Sequence, residues 1–303
     1  MHTSLIIPTR NAASHLDRLL PALRMQTLQP NEILVIDSAS SDDTVARFRE
    51  FGARVHVIAA KGFNHGGTRR LASELVGGDA LIVMTQDAIP ATPDTFANLI
   101  NELQLDPLNG VAYGRQLPHP GAGVLGAQSR HFNYPPQSCT KRLADAPVLG
   151  IKTCFSSDSF SVYRRTALQA VGGFPVDVIG SEDAYVAARM LLAGLTVRYA
   201  ASAQVYHSHD YRLMEEFHRY FDIGVFYGRE TWIRHAFGDI GGEGKRYVLA
   251  ELRALRQAHA LHRAPEVVVR SAFKLLGYRL GHLERYLPNS LKQRLGMFST
   301  YWT

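Results

Sequence analysis

Cysteine and long apolar runs are scarce in this chain. Its 303 residues include only two cysteines, Cys139 and Cys154, which lie too far apart for a CxxC redox or metal motif and suggest no disulfide framework. No stretch reaches the roughly 18–20 apolar residues that a membrane-spanning helix needs. The residues after Met1 form neither the basic nor the apolar region of a signal peptide. We therefore expect a cytoplasmic protein.

Two common phosphate-binding motifs are absent as well. No GxGxxG follows the first predicted strand and no GxxxxGK(S/T) occurs, so neither a Rossmann dinucleotide site nor a P-loop is supported. The first loop also lacks the glycine-rich, basic turn that a sugar nucleotidyltransferase would place there. The chain has no low-complexity tract, and 46% of its residues are hydrophobic. This composition is typical of a globular enzyme.

The positive charge is concentrated at the C-terminus. Residues 241–303 carry a net charge of +7, whereas residues 1–240 carry −1 of the total of +6. A basic, aromatic-bearing amphipathic segment is suited to an anionic membrane surface. Packing of its apolar residues onto the rest of the chain, or a solvated helix face, is the alternative. Nothing else supports nucleic-acid binding. Six of the eleven basic residues of this tail are interleaved with its aromatic and apolar residues: Arg270, Lys274, Arg279, Arg285, Lys292 and Arg294.

Apolar and amphipathic segments alternate through the first ninety residues. Strands are predicted over 5–8, 32–36, 55–58 and 80–84, and helices over 14–25, 42–51 and 68–76. Ser14 is the predicted N-cap of the first helix. The alternation is typical of an α/β fold with a doubly wound, mostly parallel sheet. Ligands bind beyond the carboxyl ends of such strands, where Thr9, Asp37 and Asp87 fall.

The second half is less regular. Residues 114–147 are rich in Gly, Pro, Gln and Asn and predict a long functional loop or a partly mobile segment. A strand is predicted over 159–163, a helix over 181–192 capped by Ser181, and short strands over 196–199 and 203–206. After His209 the pattern is helical.

Several motifs occur in a recognisable order. Residues 6–11 (IIPTRN), 35–44 (VIDSASSDDT) and 180–183 (GSED) resemble inverting family 2 glycosyltransferases of the GT-A fold. Residues 63–69, 84–88, 205–209 and 278–302 are similar to the bacterial rhamnosyltransferase branch of that family. The resemblance implies a GT-A catalytic domain over residues 1–212 and a basic, mainly helical extension over 213–303.

Asp87 is the candidate metal ligand. A divalent cation that bridges the oxygens of a diphosphate stabilises the charge that grows on this leaving group, and Mg²⁺ or Mn²⁺ accepts carboxylate oxygens. The family often has D-x-D here, but this chain has Gln86-Asp87-Ala88. His207, which the resemblance puts near the diphosphate, is the candidate for the missing ligand. His207 and His209 would share one face of an extended strand, and only one of them need point at the site.

Asp183 is the candidate general base. Inverting transfer is a single displacement in which the acceptor hydroxyl loses its proton, and one carboxylate within hydrogen-bond reach is sufficient. The resemblance assigns this role to Asp183, with Glu182 orienting or contacting the acceptor. The alternative is that both acids simply stabilise the first turn of a helix.

Further residues are assigned to the donor. Asp37 would accept the imide N–H of a uracil or thymine base, unless it only caps the turn that follows it. Thr9 and Arg10 would lie against the nucleotide. His65 and Arg69, in a loop that opens a helix, suit a phosphate or a donor hydroxyl; a packed histidine and a surface arginine are the alternative. The remaining predicted substrate-binding residues are Gln86, Asp158 for the transferred sugar, and Arg219 for the diphosphate.

The resemblance implies a metal-dependent inverting transferase. It would move L-rhamnose from dTDP-β-L-rhamnose to a lipopolysaccharide-type glycan or glycolipid, on the cytoplasmic face of the inner membrane. Three alternatives remain open: the same fold with another donor such as a UDP-hexose, a non-catalytic nucleotide-sugar-binding domain, and a membrane-surface scaffold.

Overall fold

A computed structural model describes residues 1–238 and 243–302 of the chain. The described residues form a large sheet with helices on both faces. The strands are β1 (Thr3–Thr9), β2 (Glu32–Asp37), β3 (Arg54–Val57), β4 (Ala80–Met84), β5 (Ile89–Pro90), β6 (Asn109–Leu117), β7 (Cys139–Lys141), β8 (Phe160–Arg164) and β9 (Thr196–Tyr206).

Helices connect these strands and make up most of the described C-terminal residues. They are α1 (Ala13–Arg24), α2 (Thr44–Glu50), α3 (His65–Leu75), α4 (Thr95–Gln104), α5 (Val124–Asn133), α6 (Ala146–Leu149), α7 (Arg165–Ala170), α8 (Glu182–Leu192), α9 (Leu213–Arg229), α10 (Thr231–Phe237), α11 (Glu243–Gln257), α12 (Ala264–His282) and α13 (Asn289–Leu295). Short 3₁₀ turns occupy Ala60–Gly62, Leu143–Asp145, Gly150–Cys154, Leu261–Arg263, Glu284–Tyr286 and Ser299–Trp302.

The sheet has a parallel half and a mixed half. Its strand order is β3-β2-β1-β4-β8-β6-β9-β5, with β7 paired to β9. The first four strands are all parallel, as the alternation of strands and helices predicts. Beyond β4 the pairs are antiparallel except for β6 with β9. The α/β prediction is confirmed, but the parallel arrangement ends at β4. The next strand in the sheet is β8, which is distant in sequence and pairs with β4 in the antiparallel sense.

Two apolar cores cover the two faces of the sheet. One packs α1 and α4 against the strands through Leu16, Leu19 and Phe96. The other combines strand residues with α8 and with the helices after β9, including Phe221 and Phe237. The C-terminal helices therefore share a core with the sheet, and the division at residue 212 stays a prediction.

Helices α9 and α12 approach each other very closely. Three glycines make this contact: a Cβ at Gly281 would lie 2.1 Å from the Phe221 carbonyl oxygen, and one at Gly224 would lie 2.2 Å from that of Tyr278. A Cβ at Gly277 would meet the carbonyl oxygen of Phe217 at 2.5 Å. Only residues without a side chain permit this spacing.

Of the two helix caps predicted from serines, that at Ser14 is wrong, whereas Ser181 does occupy the N-cap position of α8. Ser14 lies inside the first turn of α1, because Ala12 occupies the N-cap position. The N–H groups at this helix start donate instead to side chains at the start of α2: Ala12 to Thr44 Oγ1 (2.7 Å) and Ala13 to Asp42 Oδ2 (3.1 Å). Ser181 precedes α8 in a left-handed conformation (φ +60°) and makes no side-chain cap bond.

Two further predictions for the second half are wrong. Residues 114–147 are not a long loop, since they contain the end of β6, α5 and β7. Helix α5 is stabilised by a contact that is distant in sequence, because Leu125 packs with Leu255 of α11 and Val267 of α12. The two short strands predicted after residue 195 form one strand, β9, whose pairing with β6 shifts register after Gly114.

Over the described residues, none of the helices is both long and apolar enough to span a bilayer.

Candidate active site

Three side chains at the ends of β4 and β9 form a cluster with metal-binding chemistry. The Nε2 atoms of His207 and His209 each lie 3.4 Å from Oδ2 of Asp87 and 3.2 Å from each other. Their candidate ligand atoms all lie within 4.8 Å of one another. A carboxylate and two imidazoles suit a divalent transition metal, so the residues fit the cation that the sequence predicts.

Gln116 of β6 orients one of these histidines. Its Oε1 accepts the Nδ1–H of His207 at 2.9 Å, which turns the Nε2 edge of that ring toward Asp87. The Gln116 amide is itself held by Ser157 Oγ at 2.8 Å and by Nη1 of Arg130. Such outer contacts fix the tautomer of a ligating histidine.

The protonation of the cluster suits cation binding. Burial opposes ionisation of Asp87, but the hydrogen bond and charge of His207 hold the pKa of that carboxyl well below its usual range. Burial, with the charge of His207, lowers the pKa of His209 to about 4. Asp87 is therefore ionised and His209 neutral near pH 7, the forms that ligate metals.

Gln86 braces the ends of β1 and β4. Its Oε1 accepts the Arg10 backbone N–H at 2.8 Å and its Nε2 donates to the Arg10 carbonyl at 3.2 Å. The Arg10 side chain is exposed beside this brace. Substrate binding by either residue stays a prediction.

Asp37 is fully buried at the end of β2. It accepts hydrogen bonds from Thr9 Oγ1 (3.2 Å) and from the Ser40 N–H (2.8 Å) and hydroxyl. This is the turn-capping role that the sequence left as the alternative. The structure brings Thr9 and Asp37 together as predicted, and their contact with a nucleotide base stays a prediction.

A buried ion cluster links α3 to α8. The Arg69 guanidinium donates to Glu182 Oε1 at 2.6 Å, and its Nε lies 3.4 Å from Asp158 Oδ2. Asp158 also accepts hydrogen bonds from Ser161 Oγ and Tyr163 OH, both at 2.7 Å. These side chains are buried and bind one another, so the alternative of a surface arginine is wrong. Their geometry supports holding a loop in place more directly than contacting a sugar.

Asp183 lies next to this cluster and is only half buried. Its Oδ2 accepts the backbone N–H of Asp158 at 3.3 Å, and its Oδ1 accepts that of Ala184 at 2.7 Å. Burial, together with the charges of Glu182 and Asp158, raises the pKa of Asp183 to about 8. The charge of Arg69 outweighs the burial of Glu182 and lowers the pKa of that carboxyl. Of the two acids on α8, Asp183 has the proton affinity of a general base.

His65 packs between two aromatic rings. Its ring centroid lies 4.8 Å from that of Phe63 and 4.6 Å from that of Phe298, edge to face. Burial lowers the pKa of His65 to about 4, and its Nδ1 lies 3.4 Å from Nη1 of Arg69. This is the packed histidine of the alternative, so binding of donor by His65 stays a prediction.

Arg219 extends from α9 toward the histidine pair. Its guanidinium carbon lies 5.7 Å from the ring centroid of Tyr211, and the Tyr211 ring stacks on that of His209 at 5.0 Å. A guanidinium in this position is suited to binding a diphosphate.

Sequence reasoning missed two contributors to the site, Gln116 and Arg130, because both fall in or beside the segment predicted as a loop. It also left open which histidine of the H-x-H faces the site, whereas both do. The extended-strand spacing of the pair was the signal that could have identified both.

Comparison with known proteins defines the class. The family profile described as Glycosyl transferase family 2 matches residues 4–172. The chain is 43% identical to the O-antigen chain rhamnosyltransferase RfbN of Salmonella typhimurium, covering 100% of this chain and 96% of that protein. It is 40% identical to the O-antigen chain rhamnosyltransferase WbaN of Salmonella anatum, over 99% and 95% of the two chains. The chain therefore belongs to glycosyltransferase family 2 and is a glycosyltransferase.

Solved structures of low sequence identity share the fold. The mannosyltransferase PcManGT of Pyrobaculum calidifontis, in complex with GDP-Man and Mn²⁺, superposes with a TM-score of 0.57 at 19% identity, over 99% of this chain and 84% of that one. TarS of S. aureus in complex with UDP-GlcNAc gives 0.53 at 15% identity, over 94% and 92%. The predicted GT-A fold is confirmed.

Proposed function

We propose that this enzyme transfers L-rhamnose from dTDP-β-L-rhamnose to an O-antigen-type glycan or glycolipid, with inversion at the anomeric carbon. The names of the two Salmonella relatives, which match over nearly the whole length of both chains, support the sugar and the kind of acceptor. The observation that carries the chemistry is the placement of Asp183 beside the buried Arg69–Glu182–Asp158 cluster, which raises its proton affinity.

The donor would bind across the carboxyl ends of β1, β2 and β4. Thr9 and Asp37 would hold the base, and the exposed Arg10 would lie near the phosphates. Asp87, His207 and His209 would hold a divalent cation, which when bound neutralises charge on the departing diphosphate. Arg130 and Arg219 would contribute positive charge at the same place; they are among the charges that lower the pKa of His209, after burial and His207.

Asp183 would accept the proton of the attacking acceptor hydroxyl. The acceptor oxygen then forms its bond to the rhamnose anomeric carbon while the bond from that carbon to the diphosphate oxygen breaks, and dTDP leaves. A single displacement converts the β-linked donor into an α-linked product. Glu182, Arg69 and Asp158 act as positioning residues, because they fix the start of α8 and the backbone N–H that holds Asp183.

The C-terminal helices would rest on the anionic face of the inner membrane from the cytoplasmic side. Of the six basic residues interleaved with the aromatic residues of the tail, three are held in ion pairs: Arg270 and Lys274 with Glu216, and Lys292 with Glu284. An apolar stripe of α12 and the turn after it is nevertheless exposed, at the helical spacing of one face. It consists of Val268, Ala272, Leu275, Leu276 and Leu283, and is flanked by the exposed Arg279 and Arg285.

Flotation with phosphatidylglycerol-containing vesicles tests this surface. Leu276→Glu is expected to abolish flotation. Leu105→Glu is the control, because Leu105 is 67% exposed and lies outside the C-terminal tail, and this variant is expected to float normally. Flotation of both variants would refute the membrane role. Loss of a dimer by Leu276→Glu in size-exclusion chromatography would show that the stripe joins two copies instead.

Release of nucleoside diphosphate from a panel of sugar nucleotides, with and without Mn²⁺, tests the reaction. Cell-envelope glycolipid extract serves as the acceptor, and Asp183→Asn and Asp87→Ala serve as inactive controls. We expect acceptor-dependent turnover of dTDP-rhamnose alone, lost in both variants. Turnover of a UDP-hexose would retain the fold and mechanism and refute the rhamnose assignment. Nucleotide binding without any turnover would favour a binding domain.

A further inference from the structure

A pocket of about 250 Å³ lies outside the cation cluster, between the loop before α3, the loop before α8 and the C-terminal segment. Its volume equals that of roughly eight water molecules at about 30 Å³ each, which is room for one sugar ring. The residues that matter for its chemistry are Lys61, Phe63, His65, Asp177, Phe298 and Tyr301.

Aromatic rings form one wall of this pocket. Phe63, His65 and Phe298 pack edge to face with centroid spacings of 4.6–4.8 Å. Tyr301 adds a fourth ring. Such a wall offers apolar surface to the C–H face of a pyranose while leaving its hydroxyl groups free for other contacts.

The lining of the pocket also carries polar groups. Tyr301 OH donates to Asp177 Oδ1 at 3.1 Å and accepts from Nη1 of Arg229 at 2.8 Å, so its position is fixed. Asp177 and Lys61 are exposed at the rim. A carboxylate, an ammonium and a phenol around an aromatic wall provide both donors and acceptors for sugar hydroxyls.

The C-terminal segment is held in place as a wall of this pocket. Asp222 of α9 accepts the backbone N–H groups of Met297 and Phe298 at 2.9 and 3.0 Å. Arg229, from the same helix, stacks over the ring of Tyr301 at 5.5 Å. The segment is thereby fixed to the body of the enzyme.

The pocket adjoins the start of α8, which carries Asp183. A Cβ at Gly180 would lie 3.4 Å from the Phe298 ring, and one at Gly66 would lie 3.5 Å from Cβ of Glu182. His65 lines the pocket and contacts Arg69, the partner of Glu182. A glycan whose attacking hydroxyl is at Asp183 can therefore extend its next ring toward the pocket.

We infer that this pocket is an acceptor subsite that binds a pyranose unit of the growing glycan, with Phe298 beneath the ring and Asp177 accepting its hydroxyl groups. The inference rests on the proposed glycosyl transfer. It gives the C-terminal segment a role in acceptor recognition that is separate from the exposed stripe of α12.

Steady-state kinetics test this assignment with Asp177→Ala and Phe298→Leu, and with Asp17→Ala and Phe51→Leu as matched controls far from the pocket. The loss of a hydrogen bond to a charged group, or of the ring surface, is expected to raise the acceptor KM about tenfold. The KM for dTDP-rhamnose is expected to stay within twofold. An unchanged acceptor KM in both pocket variants overturns the subsite.

Saturation-transfer NMR provides a readout that needs no turnover. Methyl glycosides of galactose, glucose, mannose and rhamnose are the probes. We expect at least one to receive saturation that persists when dTDP is added and is lost in Phe298→Leu. Such binding without turnover of any donor would refute the proposed reaction and keep the subsite. Turnover of dTDP-rhamnose, with no probe bound and no change in acceptor KM, would refute the subsite and keep the proposed reaction.

Discussion

Replacing Glu182 by Gln changes the proton affinity of the base without removing the base. In the folded protein, burial and the charges of Glu182 and Asp158 raise the pKa of Asp183 to about 8. At pH 7 only about one Asp183 carboxyl in eleven is then ionised. Glu182→Gln removes one of the two neighbouring negative charges and leaves part of the Arg69 charge uncompensated. Both effects lower the pKa of Asp183.

Close charges shift carboxyl pKa values by about one to two pH units. The pKa of Asp183 would then fall to about 6–7, and between half and nine tenths of the carboxyls would be ionised at pH 7. The assay is the pH dependence of kcat/KM for the acceptor at saturating donor and Mn²⁺. We expect the acid limb of the variant to move to lower pH by this amount. Its maximum is expected to fall, because Arg69 loses the negative charge of its 2.6 Å partner.

Glu74→Gln is the matched control, since Glu74 is an exposed partner of Arg70 on α3. Loss of the Glu74 charge should not shift the acid limb of the pH profile. An acid limb that Glu182→Gln leaves unmoved, or moves to higher pH, would refute the electrostatic account of the base. Asp183→Asn should abolish turnover at every pH, and a variant that retains activity would assign the base elsewhere.

Three further predictions concern the cation site and the fold. Gln116→Leu frees the Nδ1 of His207 and should weaken Mn²⁺ binding about 10–100-fold in isothermal titration, whereas unchanged affinity would show that this hydrogen bond does not orient the ligand. Gly281→Ala forces a Cβ to 2.1 Å from a backbone oxygen of α9 and should lower the unfolding free energy measured in urea by about 1–3 kcal/mol. Gly244→Ala is the control, because a Cβ there meets nothing within 4 Å, and it should leave the unfolding free energy unchanged. Equal stabilities of the two variants would contradict the close packing of α9 and α12. Burial raises the pKa of Asp222 to about 7 from its ordinary 3.8. Between these two pH values the folded protein keeps a proton on Asp222 that the unfolded chain has released. The free energy of unfolding therefore falls as the pH rises through this window. The Tm of Asp222→Asn should lack this decline between about pH 4 and pH 7, and parallel curves would refute the assignment.

The strand ends that carry the site could be predicted because the first half of the chain is locally regular. Asp37 and Asp87 each follow an apolar segment, and parallel strands bring their carboxyl ends to one edge of the sheet. The pair His207 and His209 follows β9 in the same way. Local pattern was therefore sufficient to group Thr9 with Asp37, whereas the grouping of Asp87 with His207 came from the family resemblance.

The parts that could not be predicted depend on contacts distant in sequence. Arg69 and Glu182 are 113 residues apart, and nothing in either segment shows that they form a buried pair. Helix α5, which carries Arg130, has the composition of a loop and is stabilised by packing against Leu255. Tertiary packing decided each of these cases.

The anomeric configuration of the product tests the central claim most directly. The enzyme is incubated with dTDP-β-L-rhamnose, Mn²⁺ and the cell-envelope glycolipid acceptor, and the new linkage is determined by NMR. Single displacement with Asp183 as the base predicts an α-linked rhamnose that Asp183→Asn does not form. A β-linked product, or a product that contains another sugar when mixed donors are supplied, would contradict the account.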